Sequence, residues 1–198
     1  TFTGWYEGEE CISTEESYVF IVTGDKTVTA VFTKRAPAEL TLEVPVFEAV
    51  TEGYAQLEAK GLQISNTGEM PANISIVELS DDSAFVLTKT DGGMIAAGET
   101  DDTTWCIQPK AGLAAGTYTA VVTVSYDEGK IVTGEVSITV NPAMYVIEAV
   151  AEPAKGGTVS GGGTYANGSE VTLTAKANEG YTFTGWYEGE ECISTEES

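Results

Sequence analysis

Residues 1–17 read TFTGWYEGEECISTEES, and residues 182–198 read TFTGWYEGEECISTEES again, with no gap and no substitution. The offset is 182 − 1 = 181 residues. Self-similarity at a fixed spacing outranks local readings, because it defines the unit that has to fold. A duplicated tag is the plainer alternative, but the segment matches no known tag and continues its surroundings at both places. The preferred reading is a tandem array with a period of 181 residues, of which the chain holds one period and a short overlap. On that reading it starts inside one unit and stops inside the next.

The period also accounts for the cysteines. Three is an odd number, which would suggest a free thiol. Cys11 and Cys192, however, are one position seen twice, so each period carries the Cys11 type and Cys106. That permits one disulfide per unit, Cys11–Cys106 or Cys106–Cys192, or none. Free cysteine buries readily as a small apolar residue, and buried thiols are preferred to a bridge.

Composition bounds the function. At 198 residues the chain has material for one or two domains with real cores. It is 42% hydrophobic and 20% charged, which is globular, not disordered. Asp and Glu number 31 against 9 Lys and Arg, a net charge of −22. Such a field repels nucleic acid and anionic membrane, whose phosphates need a basic patch. No apolar run approaches the roughly 20 residues of a membrane span. No signal peptide or anchoring tail is present, as a piece from the middle of an array would have it.

The spacing of apolar residues predicts strands and turns throughout. Tyr18–Val22 and Thr27–Phe32 flank Gly24-Asp25-Lys26 as a hairpin. Leu40–Phe47, with Pro45 marking an edge or bulge, and Gln56–Ile64 come next, the latter stopping at Asn66-Thr67-Gly68. Further strands are expected at Ile74–Leu79, Phe85–Thr88 and Thr103–Gln108. Thr117–Ser125 and Ile131–Val140 form a hairpin across Asp127-Glu128-Gly129, and Tyr145–Ala151, Gly157–Ser160 and Glu170–Ala177 complete the series. No stretch sustains the i, i+3, i+4, i+7 pattern of a helix. The fold class is therefore all-β, a sandwich or small barrel. Lys34-Arg35-Ala36-Pro37-Ala38 and Asn141-Pro142-Ala143 read as linkers, dividing the chain into 1–35, 36–142 and 143–198. The middle segment, about 105 residues between linkers, has the usual size of an immunoglobulin-like sandwich.

Joined across the repeat, the two ends make one continuous segment. It runs from Tyr145-Val146-Ile147 through Gly156-Gly157-Thr158-Val159 and Gly180-Tyr181-Thr182-Phe183-Thr184-Gly185-Trp186-Tyr187. It continues into Tyr18-Val19-Phe20 and Thr27-Val28-Thr29-Ala30-Val31-Phe32. The G-Y-x-F-x-G-W-Y stretch together with the closing T-x-x-A-x-F strand resembles the divergent internalin-B-type B-repeat (the Listeria–Bacteroides-type repeat) of Gram-positive surface proteins. The resemblance covers 1–33 and 144–198. It implies a β-rich, often β-grasp-like module found in adhesins, with no catalytic residue to carry over. It also implies that 1–35 is the C-terminal part of one such domain and 143–198 the N-terminal part of the next. The middle segment resembles, less specifically, the bacterial Ig-like domains that alternate with such repeats. Its cues are Ile64-Ser65-Asn66-Thr67-Gly68 and Gly116-Thr117-Tyr118-Thr119-Ala120.

Candidate chemistry is sparse. The absence of histidine removes Ser-His and Cys-His nucleophile pairs and His-ligated zinc. The cysteines lack C-x-x-C spacing, and Gly156–Gly163 lacks the Gly-Lys-Ser/Thr ending of a phosphate loop. No enzyme and no cofactor is expected. Calcium is the best acidic hypothesis: Asp81, Asp82, Asp101 and Asp102 fall in predicted loops, where carboxylates can converge on a hard cation. None has the spacing of a calcium-binding loop, and solvated acidic turns are the preferred reading. Tyr181, Phe183 and Tyr187 alternate onto one face, with Trp186 on the other, which makes a sugar-stacking platform an alternative to the preferred reading of these aromatics as packing residues. Trp5 and Trp186 are read as core. Asn73-Ile74-Ser75 and Asn167-Gly168-Ser169 match the glycosylation sequon, and Lys60 and Lys130 are candidate donors for an intramolecular isopeptide bond.

Two functions fit these readings. The first is a structural unit of an extracellular bacterial surface stalk or filament, with neighbouring copies joined head to tail. The second is an adhesin module binding a host glycan or protein weakly per unit and tightly through many copies. Neither involves nucleic acid or membrane insertion.

Overall fold

The structure, a computed structural model, describes residues 1–197. Twenty strands and no helix are found among them. The first three are β1 (Phe2–Glu7), β2 (Glu10–Ser13) and β3 (Thr29–Phe32), forming a small sheet in the order β2-β1-β3. The middle of the chain forms β4 (Leu40–Glu43), β5 (Val50–Thr51), β6 (Lys60–Gly61), β7 (Gln63–Asn66), β8 (Ala72–Leu79), β9 (Phe85–Leu87), β10 (Asp91–Ile95), β11 (Thr100–Asp101), β12 (Cys106–Pro109), β13 (Gly116–Tyr126) and β14 (Lys130–Asn141). The remainder holds β15 (Met144–Ile147), β16 (Gly157–Ser160), β17 (Gly163–Ala166), β18 (Thr174–Ala177), β19 (Trp186–Glu188) and β20 (Glu191–Ser194).

Two compact units result. The first comprises Thr1–Val46, Glu58–Pro109 and Thr119–Val136. In it the order β10-β8-β13-β14 makes one sheet, and the orders β11-β7-β4 and β6-β12-β9 make two smaller ones. The layering comes from alternation: in β13, Ala120, Val122, Val124 and Tyr126 are buried while the residues between them are more exposed. Strand β8 buries Ala72 and Ile74 and then Val77, a change of parity. A bulge explains it, because Ser125 pairs with Ile76 but Tyr126 with Ile74. Facing these are Leu40, Leu62, Ile64, Phe85, Trp105 and Ile107, all buried. The layers are tied where the Tyr126 hydroxyl accepts from the Leu40 amide at 3.3 Å and the Trp105 indole donates to the Asp91 carbonyl at 3.1 Å.

The second unit comprises Phe47–Leu57, Lys110–Tyr118 and the chain from Ser137 onward. The end of β14 pairs in parallel with β5, Val140 opposite Val50 and Asn141 opposite Thr51. Beyond it lie three two-stranded sheets, β15-β17, β16-β18 and β19-β20. Every buried apolar side chain except that of Ala175 lies between Ala38 and Val140. The apolar residues of 1–35 and 143–197 thus surround no closed core of their own.

Several local expectations need correction. Tyr18–Val22 is no strand and forms no hairpin with Thr27–Phe32; β3 pairs instead with β1, Trp5 opposite Ala30 and Tyr6 opposite Thr29. Thr103–Trp105 is a turn, since the Asp101 carboxylate accepts from the amides of Thr103 and Thr104, and the strand starts at Cys106. Strands β10 and β17 were unexpected because of their glycines. The core tryptophan is Trp105, 1% exposed, whereas Trp5 and Trp186 are half-buried.

Candidate functional site: the repeated hairpin and its open edge

The duplicated segment folds twice into the same hairpin. Trp5 pairs with Ser13, Tyr6 with Cys11 and Glu7 with Glu10, with a bulge between Trp5 and Tyr6. Trp186 pairs with Ser194, Tyr187 with Cys192 and Glu188 with Glu191, with the bulge between Trp186 and Tyr187. Gly4 (φ 159°) and Gly185 (φ 146°) lie against the opposite strand, where a Cβ would stand 2.9 Å from the Ser13 carbonyl oxygen and 2.8 Å from that of Ser194. The aromatic pair is kept as well: Phe2 and Trp5 centroids are 5.7 Å apart, and so are those of Phe183 and Trp186. That contact places Phe183 with Trp186, not on the opposite face as the alternation predicted.

The two copies differ in what runs along their outer edge. β1 has β3 along its other edge and is six residues long; the same sequence in β19 pairs with β20 alone among the described residues and is three. Phe2 also packs edge-on against Phe32, at 5.6 Å. Lys26 pairs with Glu7 at 2.6 Å, which raises the lysine pKa. Between these strands the N-terminal copy leaves apolar side chains in solvent: Val19 is 92% exposed, Ile21 88% and Phe32 70%. The C-terminal copy has the converse feature, an open cleft of about 830 Å³ whose lining includes Val146, Val159, Leu173, Phe183 and Trp186.

The other candidate residues are not gathered into a site. All three thiols are free; Cys11 and Cys192 are exposed and Cys106 half-buried, so the expected burial is not found. Among the described residues no three His, Cys, Asp or Glu side chains come together to hold a metal ion. The Asp81 carboxylate accepts from the amide and hydroxyl of Ser83, and that of Asp101 from Thr103 and Thr104, whereas Asp82 and Asp102 are exposed. Burial pushes the Asp101 pKa up, but the Thr104 hydroxyl and amide, the Thr103 amide and the Lys89 charge outweigh it and set it below the usual range. Lys60 donates to the Val46 carbonyl and Lys130 to that of Ala38. Tyr181 and Tyr187 are exposed, while Phe183 and Trp186 are half-buried.

The sequence reading missed Glu52. Its carboxylate accepts from the amides of Ala115 at 2.8 Å and Ala143 at 3.1 Å and from the Asn167 side chain at 3.1 Å. These bonds favour the charged form and lower its pKa. Asn167, the second sequon residue, is engaged here. One carboxylate therefore fastens the linker after β14 and the turn after β17. No sequence signal marks it, because its partners at 115, 143 and 167 are brought to it only by the fold.

Comparison with known proteins bears on the C-terminal segment. Residues 147–198 match the family profile of the divergent InlB B-repeat domain. The resemblance read from the G-Y-x-F-x-G-W-Y stretch thus holds for this segment. Among solved structures the chain resembles the ASH/PapD-like domain of human CEP192 (PapD-like domain 7), at 13% identity and a TM-score of 0.42 over 65% of this chain and 99% of that one. None of the curated proteins matches the chain.

Proposed function

We propose that the chain is a tandem-repeat structural unit of an extracellular bacterial surface stalk or filament, each period pairing one Ig-like sandwich (36–142) with one B-repeat. The observation that supports it most is the uninterrupted duplication of residues 1–17 at 182–198, inside a segment that matches the B-repeat. Identical units joined by short linkers suit a spacer. The Glu52 bonds to Ala143 and Asn167 would stiffen one junction. The charge of −22 keeps copies soluble and apart. Electron microscopy of chains with two, four and six periods tests the reading. Equal increments of contour length per period are expected; compact particles of fixed shape would refute it.

The exposed Tyr181 and Tyr187 keep an adhesive role as the second reading, binding host glycan or protein through multivalency. Retention of a six-period chain on a glycan array, lost in Y181A/Y187A, would favour it.

A further inference from the structure

We propose that Asn167 is a self-modification site: the Gly168 backbone nitrogen displaces its side-chain amide, and the carboxylate left behind releases the turn after β17 from Glu52. The inference goes beyond the repeat-unit reading and does not depend on it. The chain has five asparagines, at 66, 73, 141, 167 and 178, and only Asn167 is followed by glycine. Asparagine carries one of the thermally labile side chains of proteins. Losing its amide takes the next residue's backbone N–H as nucleophile, and a side chain on that residue crowds the approach. The other four have poor neighbours or are held. Asn141 precedes Pro142, which has no N–H. Asn73 precedes the β-branched Ile74 within β8, and Asn178 precedes Glu179. Asn66 is 1% exposed, and its amide is held by the Met70, Ile95 and Ala96 carbonyls. Asn167 and Gly168 are exposed, in a tight turn closed by the Ser169 amide donating to the Ala166 carbonyl at 3.0 Å. Gly168 has φ 77°, and nothing lies within 4 Å of where its Cβ would stand. Glycine holds that conformation without strain and leaves its nitrogen open to the side chain before it.

The atoms balance without any redox partner. The Gly168 nitrogen gives up its proton and bonds to Asn167 Cγ. The Cγ–Nδ2 bond breaks, and Nδ2 leaves as ammonia, taking one proton from solvent. Water then opens the cyclic imide at either carbonyl carbon. Opening at Cγ gives aspartate; opening at the main-chain carbonyl gives isoaspartate, with the backbone routed through Cγ. Either product puts an acceptor where Nδ2 donated to Glu52 Oε2 at 3.1 Å. Glu52 is held in its charged form by the amides of Ala115 and Ala143. Two carboxylates sharing one site repel, so a bond becomes a repulsion. While closed, the fastening restrains Asn167 at both ends, since its backbone N–H also donates to the Ala143 carbonyl at 2.7 Å. It is a latch: slow to react while shut, and unable to shut again after reacting.

The test incubates the full 198-residue chain in mildly alkaline buffer, where more of the Gly168 nitrogen is deprotonated. Digestion and mass spectrometry then map it beside a synthetic peptide of residues 163–171. The expected mass gain, OH in place of NH2, falls on residue 167 as aspartate and isoaspartate together, the mark of an imide. Asn66, Asn73 and Asn178 stay unchanged. The chain is expected to react more slowly than the peptide, and the E52A chain at a rate approaching the peptide's. N167Q, whose longer side chain closes no such ring readily, keeps its mass. Made directly, N167D is expected to exchange the Ala143 amide about tenfold faster, the scale of one lost hydrogen bond. NMR titration of N167D should also show the Glu52 pKa raised relative to the parent chain. A chain that keeps Asn167 while the peptide converts, equal rates in the parent and E52A, or an unaltered Glu52 titration in N167D overturns the latch.

Discussion

The indole N–H of Trp186 donates to the backbone carbonyl of Glu196 at 3.1 Å. Trp5 has the same place in the same seventeen residues, yet its indole nitrogen is buried without a partner. The sequences match through the whole hairpin, so the difference comes from what surrounds each copy; the first has β3 along β1. A buried, unpaired donor costs about 1–3 kcal/mol, and phenylalanine removes the donor. W5F should therefore cost its hairpin about 1 kcal/mol less than W186F costs the equivalent one. Hydrogen exchange of the two hairpins' amides checks this.

Asn66 is the buried polar residue of the sandwich, 1% exposed. Its amide donates to the carbonyls of Met70 at 2.8 Å and Ile95 at 3.1 Å, and its oxygen accepts from the Gly68 amide at 3.0 Å. These bonds close the turn after β7 and hold the end of β10 to it. Removing the side chain leaves the buried Ile95 carbonyl without this donor and opens the turn at Gly68 and Met70. N66A is expected to destabilise by about 3 kcal/mol, read by urea denaturation with far-UV circular dichroism.

Gly93 leaves room for the core tryptophan: a Cβ there would lie 2.7 Å from Trp105 Cη2. The ring is boxed in by its bond to Asp91 and by Lys89, whose ammonium sits 5.1 Å from its centroid. G93A should cost about 1–3 kcal/mol by overpacking, and W105A about 3–5 kcal/mol by leaving a cavity. Thermal melts order the two variants.

Glu52 makes stability depend on pH in a defined direction. Its pKa is lower in the folded chain than in the unfolded one, so folding favours the carboxylate. That contribution is present at neutral pH, where both states are ionised. It begins to fade as pH falls below about 4.3, the ordinary glutamate value, and is gone once pH passes below the folded pKa. E52Q keeps one acceptor and adds a donor facing the amides of Ala115 and Ala143. It should melt lower than the parent at pH 7, with the gap closing towards pH 3. A gap that does not change with pH would contradict the assignment.

Much of the architecture is legible in the sequence because alternation is strong where strands are long. Thr117–Ser125 and Ile131–Val140 lie within β13 and β14, whose partners sit on both sides. The misses have physical causes. β10, Asp91–Ile95, is not among the expected strands, because Gly92 and Gly93 lower its strand character. Those glycines serve close approach: a Cβ on Gly92 would sit 2.2 Å from the Ile74 carbonyl oxygen. Tyr18–Val22 has the composition of a strand but finds no partner, and composition cannot supply one. At the site, the identity of the repeats was plain at once. That Thr29–Phe32 would run along Phe2–Glu7 is not legible, since composition does not name a strand's partner.

We propose that residues 144–181 and 1–35 are two parts of one B-repeat. The most direct test is a permuted chain in which residues 36–181 run straight into residues 1–35. It is compared with the 198-residue chain by amide hydrogen exchange in dilute, monomeric solution. If the parts belong together, amides of 18–22 and 29–32 gain at least about tenfold protection in the permuted chain, as they enter a closed cooperative unit. Equal exchange of these amides in the two chains would contradict it.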